Sequence, residues 1–214
     1  MNIGADESWK TKPSDRFILK WVKLNLSARI TPKIADRNFI RPWMITVISM
    51  LLGICAGIVY SRGCGFTAGL IALLSQTLDG VDGQLARLTS RQSSSGAFLD
   101  SVLDRYADGA MVIGLIIYNV KMNSEIASGA VLFIGALALI GSGLISYTSA
   151  RAESLKLDMG QPTLASKGTR TIVTIVCALL SPISSLIPFA GLIYLALHTN
   201  IVVIWRIAKA ADRT

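Results

Sequence analysis

The sequence predicts an all-α integral membrane protein: six transmembrane helices preceded by an amphipathic interfacial helix, with both termini cytoplasmic. Three observations carry that expectation. Of 214 residues, 52% are hydrophobic and only 16% charged, against about 25% charged in soluble domains, and the mean hydropathy is +0.55. Six apolar runs follow one another from Trp43 onward. Finally, Lys and Arg are unevenly shared among the connecting segments, as topology signals are.

In chain order, residues 1–13 are polar, and the expectation for them is a loose N-terminal segment. From Ser14 to about Ala28, Phe17, Ile18, Trp21, Val22, Leu24 and Leu26 recur with Arg16, Lys20 and Lys23 between them. That is a basic amphipathic stretch suited to the membrane interface, though a soluble helix packed on another domain would show the same periodicity. No cleavable signal peptide is expected, because the first apolar run starts only near Trp43, and that run would direct insertion.

The runs cover Trp43–Tyr60, Gly65–Leu78, Ala97–Val120, Ile126–Tyr147, Thr171–Leu186 and Pro188–Trp205. A bilayer needs about 20 residues; the second and fifth are short and must extend through their polar flanks. Nine Lys and Arg precede the first span. Arg87 and Arg91 follow the second, Arg151, Lys156, Lys167 and Arg170 follow the fourth, and Arg206, Lys209 and Arg213 close the chain. The other loops hold Arg62, Lys121 and none. This alternation places both ends, and the segment between spans two and three, on the cytoplasmic side. Small residues at Gly53/Gly57, Gly65/Gly69 and along span four (Gly129, Gly135, Gly141, Gly143) allow close helix approach, span four being a candidate dimer face.

The net charge of +8 raises nucleic acid as a partner. The basic residues form no single patch, however, and no recognition motif accompanies them, so nucleic acid is set aside. Cys55, Cys64 and Cys177 have no metal-ligand spacing, and the two inside apolar runs, Cys55 and Cys177, read as small hydrophobes. His198, the one histidine, has no catalytic partner in the sequence and reads as structural.

Chemistry concentrates in Asp79-Gly-Val-Asp-Gly-Gln-Leu-Ala-Arg87 and Gly96-Ala-Phe-Leu-Asp100-Ser-Val-Leu-Asp104. Asp79 and Asp82 lie three apart, Asp100 and Asp104 four apart, so each pair shares a helix face. Two such faces turned together would gather four acids, which makes sense only around cations. All-oxygen ligands suit magnesium, manganese or calcium. Gly83 and Ala86 leave the helix backbone open to a bulky ligand, and Arg87, a turn beyond, can reach a phosphate or an acid. Ser94 or Ser95 is placed to cap the next helix. Taken singly, each acid is equally well a helix-end residue. Asp108, one turn further on, reads as a structural polar contact, and Arg105 sits beside Asp104. Acids between membrane helices also suit an ion or metal transporter, and a catalytically silent scaffold is the third class.

Asp79-xx-Asp82-Gly83-xx-Ala86-Arg87, eight residues, then Gly96-xxx-Asp100-xxx-Asp104 resembles the signature of the CDP-alcohol phosphotransferase (CDP-alcohol phosphatidyltransferase) family at all its fixed positions. The resemblance implies a membrane enzyme that transfers a phosphoalcohol group from a CDP-alcohol to a second alcohol and releases CMP. Asp79, Asp82, Asp100 and Asp104 would hold two divalent cations, Mg2+ or Mn2+, with Asp104 also the general base. Gly83, Ala86 and Arg87, together with Asp79 and Asp82, would bind the CDP donor, with Thr46 and Ser93 beside the diphosphate.

Arg151, Lys167 and Arg170 are candidates for a phosphorylated acceptor, or simply topology signals. Ser146-Tyr-Thr-Ser-Ala-Arg151-Ala-Glu resembles the branch that uses inositol phosphate, except that Ser149 stands where that branch tends to carry a lysine. Leu78–Arg87 with Leu103–Asp108 looks more like enzymes making di-myo-inositol phosphate phosphate, often joined to or paired with a cytidylyltransferase. A phospholipid synthase of the phosphatidylinositol-phosphate or archaetidylinositol-phosphate type is the runner-up. The expected organisation is a polar segment 1–13, an interfacial helix and linker 14–41, a six-helix catalytic domain 42–208 and a tail 209–214. A homodimer in the inner membrane, with its site facing the cytoplasm, completes the expectation.

Overall fold

A computed structural model describes residues 9–11, 17–37, 39–157 and 167–211, and of residues 17–19 and 167 the backbone only. Every regular element among them is helical: α1 (Phe17–Val22), a π-helical turn (Lys23–Ser27), α2 (Ala28–Ala35), α3 (Pro42–Ser61), α4 (Gly65–Leu88), α5 (Ser94–Met122), α6 (Ser128–Ser154), α7 (Lys167–Leu180) and α8 (Leu186–Ala211).

The apolar runs become helices, and their ends differ from the sequence expectation for local reasons. Pro42 opens α3 in its first turn, where its missing N–H has no helical partner to lose. Helix α4 does not stop with its apolar residues; it continues to Leu88, carrying Asp79, Asp82 and Arg87 on its last turns. It ends in a Schellman turn: Arg91 N donates to the Ala86 carbonyl at 2.9 Å and Ser90 N to that of Arg87 at 3.2 Å, with Ser90 left-handed at φ 54°. Ser93, not Ser94 or Ser95, caps α5, its hydroxyl accepting the Gly96 N–H at 3.1 Å. Helix α7 starts at Lys167 and stops at Leu180, short of Leu186, and a turn at Ser181 leads into α8. The amphipathic stretch runs on past Ala28 to Ala35, through Pro32, with the π turn just ahead.

Helices α3, α6 and α8 are long and apolar enough to cross a bilayer. Exposed Leu51, Ile58, Phe66, Leu70, Phe133, Ile140, Leu197 and Ile204 cover their outer faces and that of α4, an apolar belt that water would not tolerate. The fold is that of a multi-pass membrane protein. Inside, Ala56, Ala68, Ala72, Ala138, Ala178 and Ala196 alternate with Leu115, Leu192 and Leu195 in one buried cluster, small residues bringing the backbones close.

The arrangement that matters for function is the place of α3. It packs along both α4 and α5, whereas α4 and α5 make little contact with each other. Gly57 and Gly114 meet backbone to backbone at the α3–α5 crossing, where a Cβ on Gly57 would overlap the Ala110 carbonyl. Gly65 and Gly69 face α7, Gly135 and Gly141 face α5 and α8, while Gly129 and Gly143 meet nothing within 4 Å. Thus span four turns two of its glycines inward and two outward.

His198 stacks on Tyr194 with ring centroids 5.1 Å apart. Cys55, Cys64 and Cys177 are free thiols, Cys177 packed under Gly191. Gly57→Leu should therefore push α3 off α5 and destabilise the fold by about 1–3 kcal/mol, read as a lower unfolding midpoint in detergent. Gly143→Leu should leave the midpoint unchanged; equal midpoints for all three proteins would contradict the packing.

Candidate metal centre

The last turns of α4 and the first turns of α5 face one another across the gap that α3 holds open. Single carboxylate oxygens of Asp79, Asp100 and Asp104 all lie within 4.8 Å of one another, on half-buried side chains. Asp82 is not one of this trio. A three-residue step on a helix turns roughly 60° short of a full circle, and that rotation directs buried Asp82 into the neighbouring cleft. Gln76, itself buried, donates from Nε2 to Asp79 Oδ2 at 2.9 Å and fixes that carboxylate one turn along the same helix.

Two cavities meet at these acids. The outer cleft, about 490 Å³, is lined by Thr46, Asp82, Gly83, Arg87, Ser93 and Asp100, with Ala86, Pro42 and Trp43 on its walls. All the residues expected at the donor, apart from Asp79, are here. Gly83 has a specific use: Arg87 Nη1 lies 3.4 Å from where its Cβ would be. The guanidinium folds back over the bare helix turn, within ordinary van der Waals reach of where a Cβ would stand, so a side chain longer than that of alanine would contend for that space.

The inner cavity, about 50 Å³, is bounded by Asp79, Asp104, Asp108, Arg170, Ser142 and Thr171. Asp108 accepts ion pairs from Arg105 Nη2 at 3.6 Å and Arg170 Nη2 at 3.8 Å, and a hydrogen bond from Thr171 Oγ1 at 3.4 Å. It is a structural acid, as the sequence indicated. Arg105 also donates to Ser146 Oγ and lies 3.9 Å from Asp104 Oδ2. Arg170 is 6% exposed and donates to the Ser142 carbonyl at 2.5 Å and to Ser146 Oγ at 3.4 Å.

Of the described acceptor candidates, Arg170 reaches this cavity. Arg151 stands exposed near the end of α6, and the side chain of Lys167 lies outside the described residues. Arg105 is the residue that sequence reasoning passed over. Its signal was its position, one after Asp104 and three before Asp108 on α5.

Three oxygen donors this close, with no nitrogen or sulfur ligand among them, fit a hard divalent cation such as Mg2+ or Mn2+. Without one, three carboxylates in a partly dry site would repel strongly.

Comparison with known proteins agrees with this geometry. Residues 39–208 match the model of the CDP-alcohol phosphatidyltransferase family. The chain is 34% identical over 137 residues to the bifunctional IPC transferase and DIPP synthase of Thermococcus kodakarensis, covering 64% of this chain and 30% of that protein. It is 30% identical over 189 residues to the archaetidylinositol phosphate synthase of Methanothermobacter thermautotrophicus, covering 85% and 91% respectively. The chain therefore spans under a third of the bifunctional relative and most of the smaller one. Among solved structures, Mycobacterium tuberculosis phosphatidylinositol phosphate synthase (PgsA1) with CDP-DAG bound superposes with a TM-score of 0.75 at 22% identity, over 86% of this chain and 92% of that one. The same enzyme with manganese and citrate gives 0.75 at 22%, over 85% and 87%. At that identity the likeness establishes the fold.

If Asp79, Asp100 and Asp104 hold a cation, changing any one to Asn should weaken Mn2+ binding by about tenfold or more, measured by electron paramagnetic resonance titration. Asp108→Asn, already committed to Arg105 and Arg170, should stay within about twofold of wild type. Equal effects at all four positions would refute the assignment.

Proposed function

Because the chain belongs to the CDP-alcohol phosphatidyltransferase family, and is a CDP-alcohol phosphotransferase, we propose that it joins the phosphoalcohol of a CDP-alcohol to an inositol phosphate. A P–O bond forms to the acceptor hydroxyl, the P–O bond to CMP breaks, and the hydroxyl proton goes to Asp104. The observation that carries this is the trio of carboxylates within 4.8 Å at the junction of two cavities, one able to take a nucleotide and the other walled by arginine.

In the outer cleft, Thr46, Asp82, Gly83, Ala86, Arg87 and Ser93 surround the CDP moiety, with Arg87 paired to the diphosphate. Asp79, Asp82, Asp100 and Asp104 would hold two divalent cations, which neutralise the diphosphate and the departing CMP when bound. Asp104, on both the metal site and the inner cavity, is placed to take the acceptor's proton. Arg170, with the exposed Arg151 and with Lys167, would receive the acceptor's phosphate. The protein's task is placement and charge rather than covalent chemistry.

Our first choice of donor is CDP-inositol, giving di-myo-inositol phosphate phosphate, supported by the likeness to bifunctional IPC transferase and DIPP synthase. A cytidylyltransferase making that donor would then be the partner. A lipid donor is favoured by a different observation, the match along 91% of an archaetidylinositol phosphate synthase; both readings share the acceptor. A transporter is disfavoured by Arg87 folded over Gly83, a feature useful to a nucleotide and not to a bare ion.

We further propose that α3 to α8 all cross the inner membrane, with both termini and the site cytoplasmic, as the Lys and Arg distribution favours. The domain would cover 42–208, with 14–41 at the interface. A homodimer through α6 is supported by the uncovered Gly129 and Gly143.

Purified protein should release CMP from CDP-inositol, or from CDP-linked lipid, only with inositol phosphate and Mg2+ or Mn2+, and chelation should stop it. No release from any pair would contradict the assignment. Asp104→Asn should abolish turnover, by about a thousandfold or more, while donor binding persists. Arg170→Ala should raise the acceptor KM by about tenfold or more and leave the donor KM in place; equal effects on both would return Arg170 to a structural role.

A further inference from the structure

Two residues of the N-terminal stretch, Trp9 and Lys10, are fastened to α4 beside the outer cleft. Trp9 is buried, 7% exposed. Its carbonyl accepts the Arg87 Nε–H at 2.8 Å, and the next carbonyl, Lys10, accepts from Gln84 Nε2 at 2.8 Å. Gln84 and Arg87 are three apart on α4 and so present one face. Two consecutive carbonyls of the strap are thus gripped by two side chains of that face, 74 and 78 residues distant in sequence.

Gln84 is wholly buried, at 0% exposure, and every part of its amide is used. Nε2 also donates to the Lys23 carbonyl at 3.0 Å, and Oε1 accepts from Thr31 Oγ1 at 2.6 Å. One amide therefore ties together the strap, the π turn, α2 and α4. Ser27 adds a hydrogen bond to the Thr77 carbonyl at 2.7 Å, and Ile30 and Ile34 pack against Val81 and Leu85. A fully satisfied buried network of this kind is rigid, and breaking one member leaves several groups unpaired.

We propose that Gln84 and the Trp9–Lys10 strap are positioning elements for Arg87. A long guanidinium side chain on its own samples many rotamers, and ordering it on substrate binding costs free energy. Holding Nε from the strap side fixes the plane of the guanidinium while its terminal nitrogens lie over Gly83 in the outer cleft. Arg87 is thereby set for the donor before the donor arrives. The inference rests on the proposed donor role of that cleft, and its test separates the two.

The test is steady-state CMP release by the full-length protein, with donor and acceptor varied in turn, and with an unfolding midpoint for each variant. Gln84→Met keeps the shape and removes the hydrogen bonds; Trp9→Ala loosens the strap and leaves α4 intact. Each should raise the donor KM by roughly five- to tenfold with little change in acceptor KM. In the Arg87→Ala background, Gln84→Met should add nothing to the donor KM, because the residue it positions is gone.

A full additional effect in that background, or lower unfolding midpoints with unchanged donor KM in both variants, would overturn the proposal. Should Gln84→Met fail to fold, Trp9→Ala alone decides. If Arg87→Ala raises the donor KM but the two strap variants do not, only the positioning role falls. If Arg87→Ala itself leaves the donor KM unchanged, the donor cleft assignment falls with it.

Discussion

The fold is organised around the mutual repulsion of carboxylates gathered where α4 and α5 approach each other. Asp79, Asp100 and Asp104 hold oxygens within 4.8 Å of one another, a spacing at which two unit charges repel by about 3 kcal/mol even with an effective dielectric near 20. Arg105 reaches both Asp104, at 3.9 Å, and Asp108, at 3.6 Å, while Arg170 pairs with Asp108. Several features exist to keep the acids facing one another despite that repulsion. Helix α3 packs on both α4 and α5 and so spaces them, Gly57 and Gly114 let α3 and α5 lock together, and Gln76 pins Asp79. Positive charge entering the gap would offset that repulsion, and a hard divalent cation suits three carboxylate oxygens so placed.

Electrostatics also divides the site into two halves of different character. On the outer side, Gly83 and Ala86 leave open backbone beside Arg87 and Arg91, a surface that would suit a diphosphate linked to a nucleoside. On the inner side, Arg105 bridges Asp104 and Asp108, and Arg170 pairs with Asp108, so that guanidinium groups stand beside the carboxylates. A phosphorylated alcohol entering there would bring its hydroxyl toward the carboxylates and its phosphate toward the arginines. On the proposed reading, opposite ends of one reaction would lie on opposite faces of the acid cluster.

Much of this was legible in the sequence, and what was not has a physical reason. The apolar runs gave the helices because composition alone dictates burial in lipid, and the small-xxx-small pairs at Gly53/Gly57 and Gly65/Gly69 do mark close crossings. The eight fixed positions from Asp79 to Asp104 located the site. Periodicity could not say that Asp82 parts from the trio, since three-residue spacing fixes a face only to within tens of degrees. It could not choose the capping residue among Ser93, Ser94 and Ser95, which are chemically alike. Nor could it show Trp9 and Lys10 meeting Arg87 and Gln84: hydrogen bonds from side chains to distant backbone carbonyls leave no pattern in the sequence. Arg105 stood beside Asp104 in the sequence, but its contact with Ser146 on α6 joins distant residues and leaves no such pattern.

The central claim is that Asp79, Asp100 and Asp104 jointly hold divalent cation beneath a nucleotide. Anomalous scattering from crystals grown with Mn2+ and a CDP-alcohol measures this most directly. The account predicts manganese peaks within about 2.5 Å of oxygens from all three carboxylates, with the diphosphate on the side of Gly83 and Arg87. Peaks elsewhere, or a bound nucleotide with no metal between these side chains, would contradict it.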